Sequence, residues 1–309
     1  MQTAVSQSRF VGCLLGLALG DALGAPFEGG PIERALWKLI GKTREGRYRW
    51  TDDTQMALDL AESLTLKPHL DQDDLALRFA RGYRWSRGYG PGAARILKQI
   101  RRGVDWRVAN TATFRLGSFG NGAAMRAPVI GLVCVRQPSA LVARAKASAF
   151  VTHAHPLGQE GAILVALATS LACADNRPTE ILDGLQSHAE QEEFVKRLEL
   201  ARIWLGSANV DTDIVRRRLG NGVAAAESCV TAIYIALRFL GSPFDELLAF
   251  TAACKGDVDT IGAMAGAIWG AHNGAEALPV KSISRLERSD HIQDVAIALY
   301  EATMKSETA

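Results

Sequence analysis

The chain has 309 residues, 48% hydrophobic and 22% charged, with a formal net charge of +2. That length supports a large buried core, and the near-neutral balance argues against a dedicated nucleic-acid surface or a strongly anionic partner. The five cysteines are widely spaced, odd in number and set in apolar stretches, which argues against a disulfide framework and for free thiols in a reducing compartment.

Apolar residues recur at threes and fours along most of the chain, and no period-two alternation is sustained. An all-α fold is therefore predicted, with helices over 54–64, 93–100, 140–150, 161–173, 192–205, 224–239, 246–254, 261–271 and 292–304. Prolines 31, 68, 91, 138, 178 and 243 fall near the ends of these segments, where proline is tolerated.

The first segment raises a question of targeting. Arg9 precedes an apolar run, and Ala22-Leu23-Gly24-Ala25 has the small residues of a leader cleavage site. The run reads as too short to span a membrane, with Asp21 breaking it. Gly12, Gly16, Gly20 and Gly24 recur every fourth residue and form one smooth stripe on a helix, suited to close packing against another helix. A core helix of a cytoplasmic protein is expected. Glu28 follows, ahead of Gly29-Gly30-Pro31. On such a loop it is either solvated surface or, beside a metal pair, a general acid–base or a gate.

Thr51-Asp52-Asp53-Thr54 opens one predicted helix and Asp257-Val258-Asp259-Thr260 opens another. Taken alone, each cluster reads first as a helix cap, since these residue types cap N-termini and offset the macrodipole. Carboxylates and hydroxyls without histidine or cysteine are also hard ligands for magnesium, manganese or calcium. If the two helix starts face each other, four carboxylates converge and repel, and divalent cations are the simplest compensation. A two-metal site at helix N-termini is predicted. Gly262, Gly266 and Gly270 add a second glycine stripe at a cost of about 1 kcal/mol each relative to alanine. Packing against the first stripe would hold Asp257 and Asp259 rigidly.

Between the clusters lies Gly117-Ser118-Phe119-Gly120-Asn121-Gly122, with three glycines in six residues. Such a loop permits close ligand approach, and a helix beginning near Ala123 would aim free amides at a phosphate. Phe119 offers a face for an aromatic base. Arg126 would meet either a phosphate or a carboxylate within the fold. Thr152-His153-Ala154-His155-Pro156 places two histidines at a spacing that shares a helical face poorly, with no third metal ligand nearby. Pro156 is expected to stop the preceding helix, leaving both histidines at its C-terminal end. There they cap carbonyls or, in the case of His153, donate a hydrogen bond to a ligand.

The blocks Gly-Asp-Ala-Leu-Gly-Ala-Pro-Phe-Glu28, Trp50-Thr-Asp-Asp-Thr-Gln-Met56, Arg87-Gly-Tyr-Gly-Pro-Gly92, Gly117-Ser-Phe-Gly-Asn-Gly-Ala-Ala-Met-Arg126, Thr152-His153 and Gly256-Asp-Val-Asp-Thr-Ile-Gly262 together resemble the ADP-ribosylglycohydrolases. The resemblance runs in order from about residue 9 to residue 275. It implies a single-domain orthogonal helical bundle over 1–309, with an ordered core at about 9–305 and a binuclear site for two Mg2+, or Mn2+ in their place. Carried over, Thr51, Asp52, Asp53, Asp257, Asp259 and Thr260 would be the metal ligands. Gly117, Ser118, Gly120, Asn121 and Gly122 would cradle the diphosphate of ADP-ribose, with Phe119 against the adenosine and Phe114 as the alternative aromatic. Glu28 matches a loop glutamate that gates the site or relays protons, and Glu28 and Asp53 are the catalytic candidates.

The reaction implied is hydrolysis of the glycosidic bond between ADP-ribose and a modified protein side chain. The metals would grip the ribose hydroxyls, and a water activated by them or by a carboxylate would attack an oxocarbenium-like centre. Residues 222–234 look more like the serine-hydrolase branch, so a serine-type linkage is favoured. An arginine linkage of the dinitrogenase-reductase-activating type is the alternative, and a non-catalytic ADP-ribose reader or structural member the second. Oxygen donors at all six metal positions argue against a dead scaffold. The partners implied are ADP-ribose and an ADP-ribosylated protein, with no membrane, and a cytoplasmic monomer is expected.

Overall fold

A proline or a short oxygen-bearing side chain starts most of the helices. The computed structural model describes residues 5–28, 30, 34, 37, 40–207 and 210–305. Among these, α1 (Gln7–Gly24), α2 (Asp52–Leu66), α3 (Gln72–Gly82), α4 (Pro91–Arg101), α5 (Trp106–Ala112) and α6 (Pro128–Val133) come first. Then follow α7 (Pro138–Phe150), α8 (Pro156–Cys173), α9 (Pro178–Gln186), α10 (Glu192–Leu205) and α11 (Thr212–Arg218). The chain continues with α12 (Ala225–Arg238), α13 (Phe244–Cys254), α14 (Val258–Asn273), α15 (Val280–Ser284) and α16 (Ser289–Lys305). Prolines 91, 128, 138, 156 and 178 each take the first helical position, where a missing N–H costs nothing. The side chains of Thr51, Asp71, Asp105 and Asp211 accept first-turn amides of α2, α3, α5 and α11. No strand forms among the described residues, only isolated bridges. The fold is all-α.

The two glycine stripes meet. A Cβ built on Gly12 would lie 2.5 Å from the Gly270 carbonyl oxygen, and one on Gly24 would lie 2.7 Å from the Asp259 Cα. Gly16 faces Gly266 and Gly20 faces Gly262 at closer range still. Backbone meets backbone along the whole α1–α14 contact, and both helices are almost entirely buried. Helices α8, α12, α13 and α16 pack around this pair, and α2 packs on α16 and α3.

Residues 7–27 do reach the length and apolarity of a membrane span, contrary to the expectation that they fall short, and so does α8. In the fold most of each is buried against other helices, and all five cysteines are buried free thiols. Gly29, Pro31 and the predicted disordered tail at 306–309 lie outside the described residues.

Candidate active site

The site starts from an acid that the sequence reading passed over. Asp21 lies inside α1, fully buried, and its carboxylate accepts from the Thr51 amide at 2.9 Å, the Thr54 amide at 3.1 Å and the Thr54 hydroxyl at 2.5 Å. It caps α2 from another helix and so ties the start of α2 to the glycine stripe. Thr51 itself takes the cap position, its hydroxyl accepting the Asp53 amide at 3.4 Å, and it does not line the cleft. A carboxylate in the midst of a glycine-striped apolar helix was the available signal for Asp21.

From this anchor α2 projects Asp52 and Asp53, while α14 projects Asp257, Asp259 and Thr260 from its own first turn. Carboxylate oxygens of Asp21, Asp53 and Asp259 lie within 4.8 Å of one another, and so do those of Glu28, Asp257 and Asp259. The Thr260 hydroxyl approaches Asp53 Oδ1 at 3.4 Å, across the gap between the two helices. The helix starts therefore face each other, about 200 residues apart in sequence. Arg87 supports this corner from outside. It stacks on Trp50 at 3.5 Å, holds the Trp50 carbonyl at 2.7 Å and makes two hydrogen bonds with Glu287.

Burial and mutual repulsion push Asp52, Asp53 and Asp259 well above the ordinary carboxylate range. Burial raises Asp257 as well, opposed by a hydrogen bond from Asn121, and raises Asp21 to about 6. Asp53 Oδ2 is enclosed and has no hydrogen-bond partner among the described residues. Protons or cations must neutralise such a cluster. An all-oxygen donor set with an orphaned buried carboxylate oxygen fits hard divalent cations.

Beside the acids, the glycine loop is pinned to the start of α12. The Asn121 amide donates to the Val223 carbonyl at 2.9 Å, and the Ala225 amide to Phe119 at 3.0 Å. The Asn121 side chain donates to Ser228 Oγ at 2.9 Å and to Asp257, joining loop to acidic cluster. No α-helix begins at Ala123. A short 3-10 turn, Asn121–Ala123, stands there instead, and the Ala124 and Met125 amides are taken by the Asn121 carbonyl. The α-helix starts only at Pro128.

Glu28, Asp52, Asp53, Asp257, Asp259 and Thr260 share a cleft of about 260 Å³ with Ser118, Gly120, Asn121, Gly122 and His153. Gly88, Gly90, Pro91 and Gly92 of the arginine–glycine block complete one wall, and Phe114 contributes an aromatic ring. Gly117 and Phe119 do not line it. Gly117, at φ +83°, packs against Ala154 and His155, and the half-exposed Phe119 ring meets His155 edge-on at 5.8 Å.

His155 differs from expectation, whereas His153 does follow the C-terminal end of α7, its amide donating to Ala149 O at 2.8 Å. Pro156 begins α8 rather than ending α7, and His155 is its N-cap, accepting the Leu157 amide at 3.2 Å. His153 is buried at the cleft and held neutral, pushed down to about 3 by burial and by the nearby Arg126 charge. Arg126 is fully buried and hydrogen-bonds the Gly122 and Ser148 carbonyls and the Thr152 hydroxyl, where a carboxylate or phosphate partner was anticipated.

Residues 2–309 match the family profile described as ADP-ribosylglycohydrolase. The chain belongs to the ADP-ribosylglycohydrolase family. It is 35% identical to an ADP-ribosylhydrolase ARH3 of Danio rerio, over 95% of this chain and 90% of that one. Against ADP-ribosylhydrolase ARH3 of Homo sapiens the identity is 34%, over 98% of this chain and 96% of the relative. A solved structure titled ADP-ribosylglycohydrolase-related protein complex superposes with a TM-score of 0.72 at 26% identity, over 96% of this chain and 99% of that one. This ADP-ribosylglycohydrolase is a glycosyl hydrolase, and the paired acidic groups are where it could hold metal.

Proposed function

We propose that this enzyme hydrolyses the bond between ADP-ribose and serine side chains of modified proteins, in the cytoplasm, with two magnesium ions in the acidic cluster. The observation that carries the reading is the convergence of Glu28, Asp52, Asp53, Asp257 and Asp259 on the same cleft as a glycine loop. Cations held there would supply charge neutralisation and Lewis acidity. The chain's own residues account for binding. Ser118, Gly120, Gly122 and His153 form a surface with little side-chain bulk for a diphosphate, and Phe114 offers a ring to the adenosine in place of Phe119. Glu28, whose carboxylate stands within 4.8 Å of Asp257 and Asp259 oxygens, is placed to move a proton at the reacting oxygen.

The serine linkage is supported by the character of residues 222–234, which border the cleft through Val223 and brace its loop through Ser228. The names of the ADP-ribosylhydrolase relatives support ADP-ribose as the released group. Five buried free thiols favour a reducing compartment.

The test is release of ADP-ribose from serine- and arginine-modified peptides in magnesium, in manganese and with excess chelator. Metal-dependent release from the serine peptide is expected. Preference for the arginine peptide would replace the linkage, and unimpaired release in chelator would remove the metals.

A further inference from the structure

Arg126 is fully buried with no acidic hydrogen-bond partner among the described residues, and its contacts lead to the cleft. The guanidinium lies over the Phe79 ring at 4.7 Å and donates to Gly122 O at 2.8 Å, Ser148 O at 2.9 Å and Thr152 Oγ1 at 2.9 Å. A guanidinium has donors only, so Thr152 Oγ1 accepts from it. The Thr152 hydroxyl proton then has His153 Nδ1, 2.8 Å away, as its partner. Thr152 is fully buried. The reverse arrangement, with Nδ1–H donating, would leave the hydroxyl proton enclosed without an acceptor, which costs a full hydrogen bond.

Nδ1 is therefore the acceptor of the neutral ring, and Nε2 carries the hydrogen. Nε2 stands over the glycine loop, 3.1 Å from where a Gly122 Cβ would be and 3.6 Å from that of Gly120. A side chain at Gly122 would crowd the ring, whereas a Cβ at Gly120 would only touch it. The ring lines the cleft, and no hydrogen bond to Nε2 is made by the described residues.

We propose that Arg126 and Thr152 are positioning residues that fix His153 as an Nε2–H donor toward a diphosphate seated over Gly120 and Gly122, and that this anion supplies the counter-charge the buried guanidinium lacks. The inference rests on the ADP-ribose reading of the cleft. A neutral imidazole has one hydrogen to place, and the wrong tautomer would turn a lone pair toward an anion. Arg126 thus acts on the ligand without touching it, through a hydroxyl that can only relay its orientation.

The experiment pairs a tautomer readout with binding. Long-range nitrogen–proton correlation on 15N-histidine-labelled protein, with a His153→Gln variant to assign the ring, should show the Nε2–H form in the wild type. Thr152→Val should lose that preference and weaken ADP-ribose binding about tenfold by calorimetry, and Thr152→Ser should restore both. An Nδ1–H ring in the wild type overturns the proposal. A tautomer change in Thr152→Val with unaltered ADP-ribose affinity overturns the link to the ligand. Failure of the wild type to bind ADP-ribose refutes the functional reading, while an Nε2–H ring in that same protein still supports the hydrogen-bond relay.

Discussion

Asp53 carries two opposed duties. Its Oδ2 is buried without a hydrogen-bond partner among other carboxylates, an arrangement that costs stability in the absence of cations. Asp53→Asn should therefore lower ADP-ribose release by roughly 10²–10⁴-fold. In chelator its melting temperature should equal or exceed that of the wild type, because one repelling charge has gone. Loss of activity together with a large drop in melting temperature would mean that the side chain matters for folding alone. Asp59 poses a similar problem away from the cleft. It is 7% exposed, takes one hydrogen bond from Gln55 at 3.0 Å, and is pushed up to about 7 by burial. Because the folded value is raised, the contribution to stability is complete below about pH 4 and is lost as pH rises through 7. Asp59→Asn should stabilise the protein by about 1–3 kcal/mol at pH 8 and by little at pH 4, read from urea midpoints at the two values. Equal shifts at both would show that Asp59 does not titrate in this range.

At the level of helices, the α1–α14 contact admits no side chain. Gly20→Val would drive a Cβ into the Gly262 carbonyl and should destabilise the protein by roughly 2–4 kcal/mol, with the denaturant slope unchanged. Wild-type stability in that variant would mean the helices can part without penalty. This contact was legible because a four-residue glycine spacing has few other uses on a helix. The acidic clusters were legible as helix starts for the same kind of reason, since Thr and Asp cap and ligate with the same oxygens. Helices α3 and α9 escaped notice because each buries only a few apolar residues, Leu75, Ala76, Phe79 and Ala80 in one, Ile181, Leu182 and Leu185 in the other. The start of α8 was placed late, at 161 in place of Pro156, because Gly158, Gln159 and Glu160 are buried there without being apolar and so leave no hydrophobic period. Asp21 and the Arg126–Thr152–His153 chain depend on contacts between distant segments, which no local period records. Phe119 was chosen over Phe114 by its place within the loop, whereas the side of the loop on which each ring falls is a matter of three-dimensional turn geometry.

For the molecule as a whole, the cleft is a store of electrostatic strain that ligands relieve. Divalent cations would bind only where Asp21, Asp53, Asp257 and Asp259 have been assembled, so on the proposed reading they should favour the folded state by mass action. Magnesium at 100 times its dissociation constant should add about 2.7 kcal/mol, and chelator should remove it. A melting temperature indifferent to both would speak against a metal centre. Sodium chloride at equal ionic strength controls for screening, which reaches buried charges poorly.

The glycine seam also has a consequence for synthesis. Its two halves end and begin 234 residues apart, at Gly24 and Val258. At about 5–20 residues per second a ribosome needs roughly 10–50 s to cover that interval. Once clear of the exit tunnel, α1 waits about that long for the glycine-striped face that packs most closely against it. Its glycines deny it most of the local propensity that would let it hold a helix alone. The nascent chain therefore carries an apolar segment without its glycine-striped partner until α14 emerges, and that segment has the length and apolarity of a membrane span.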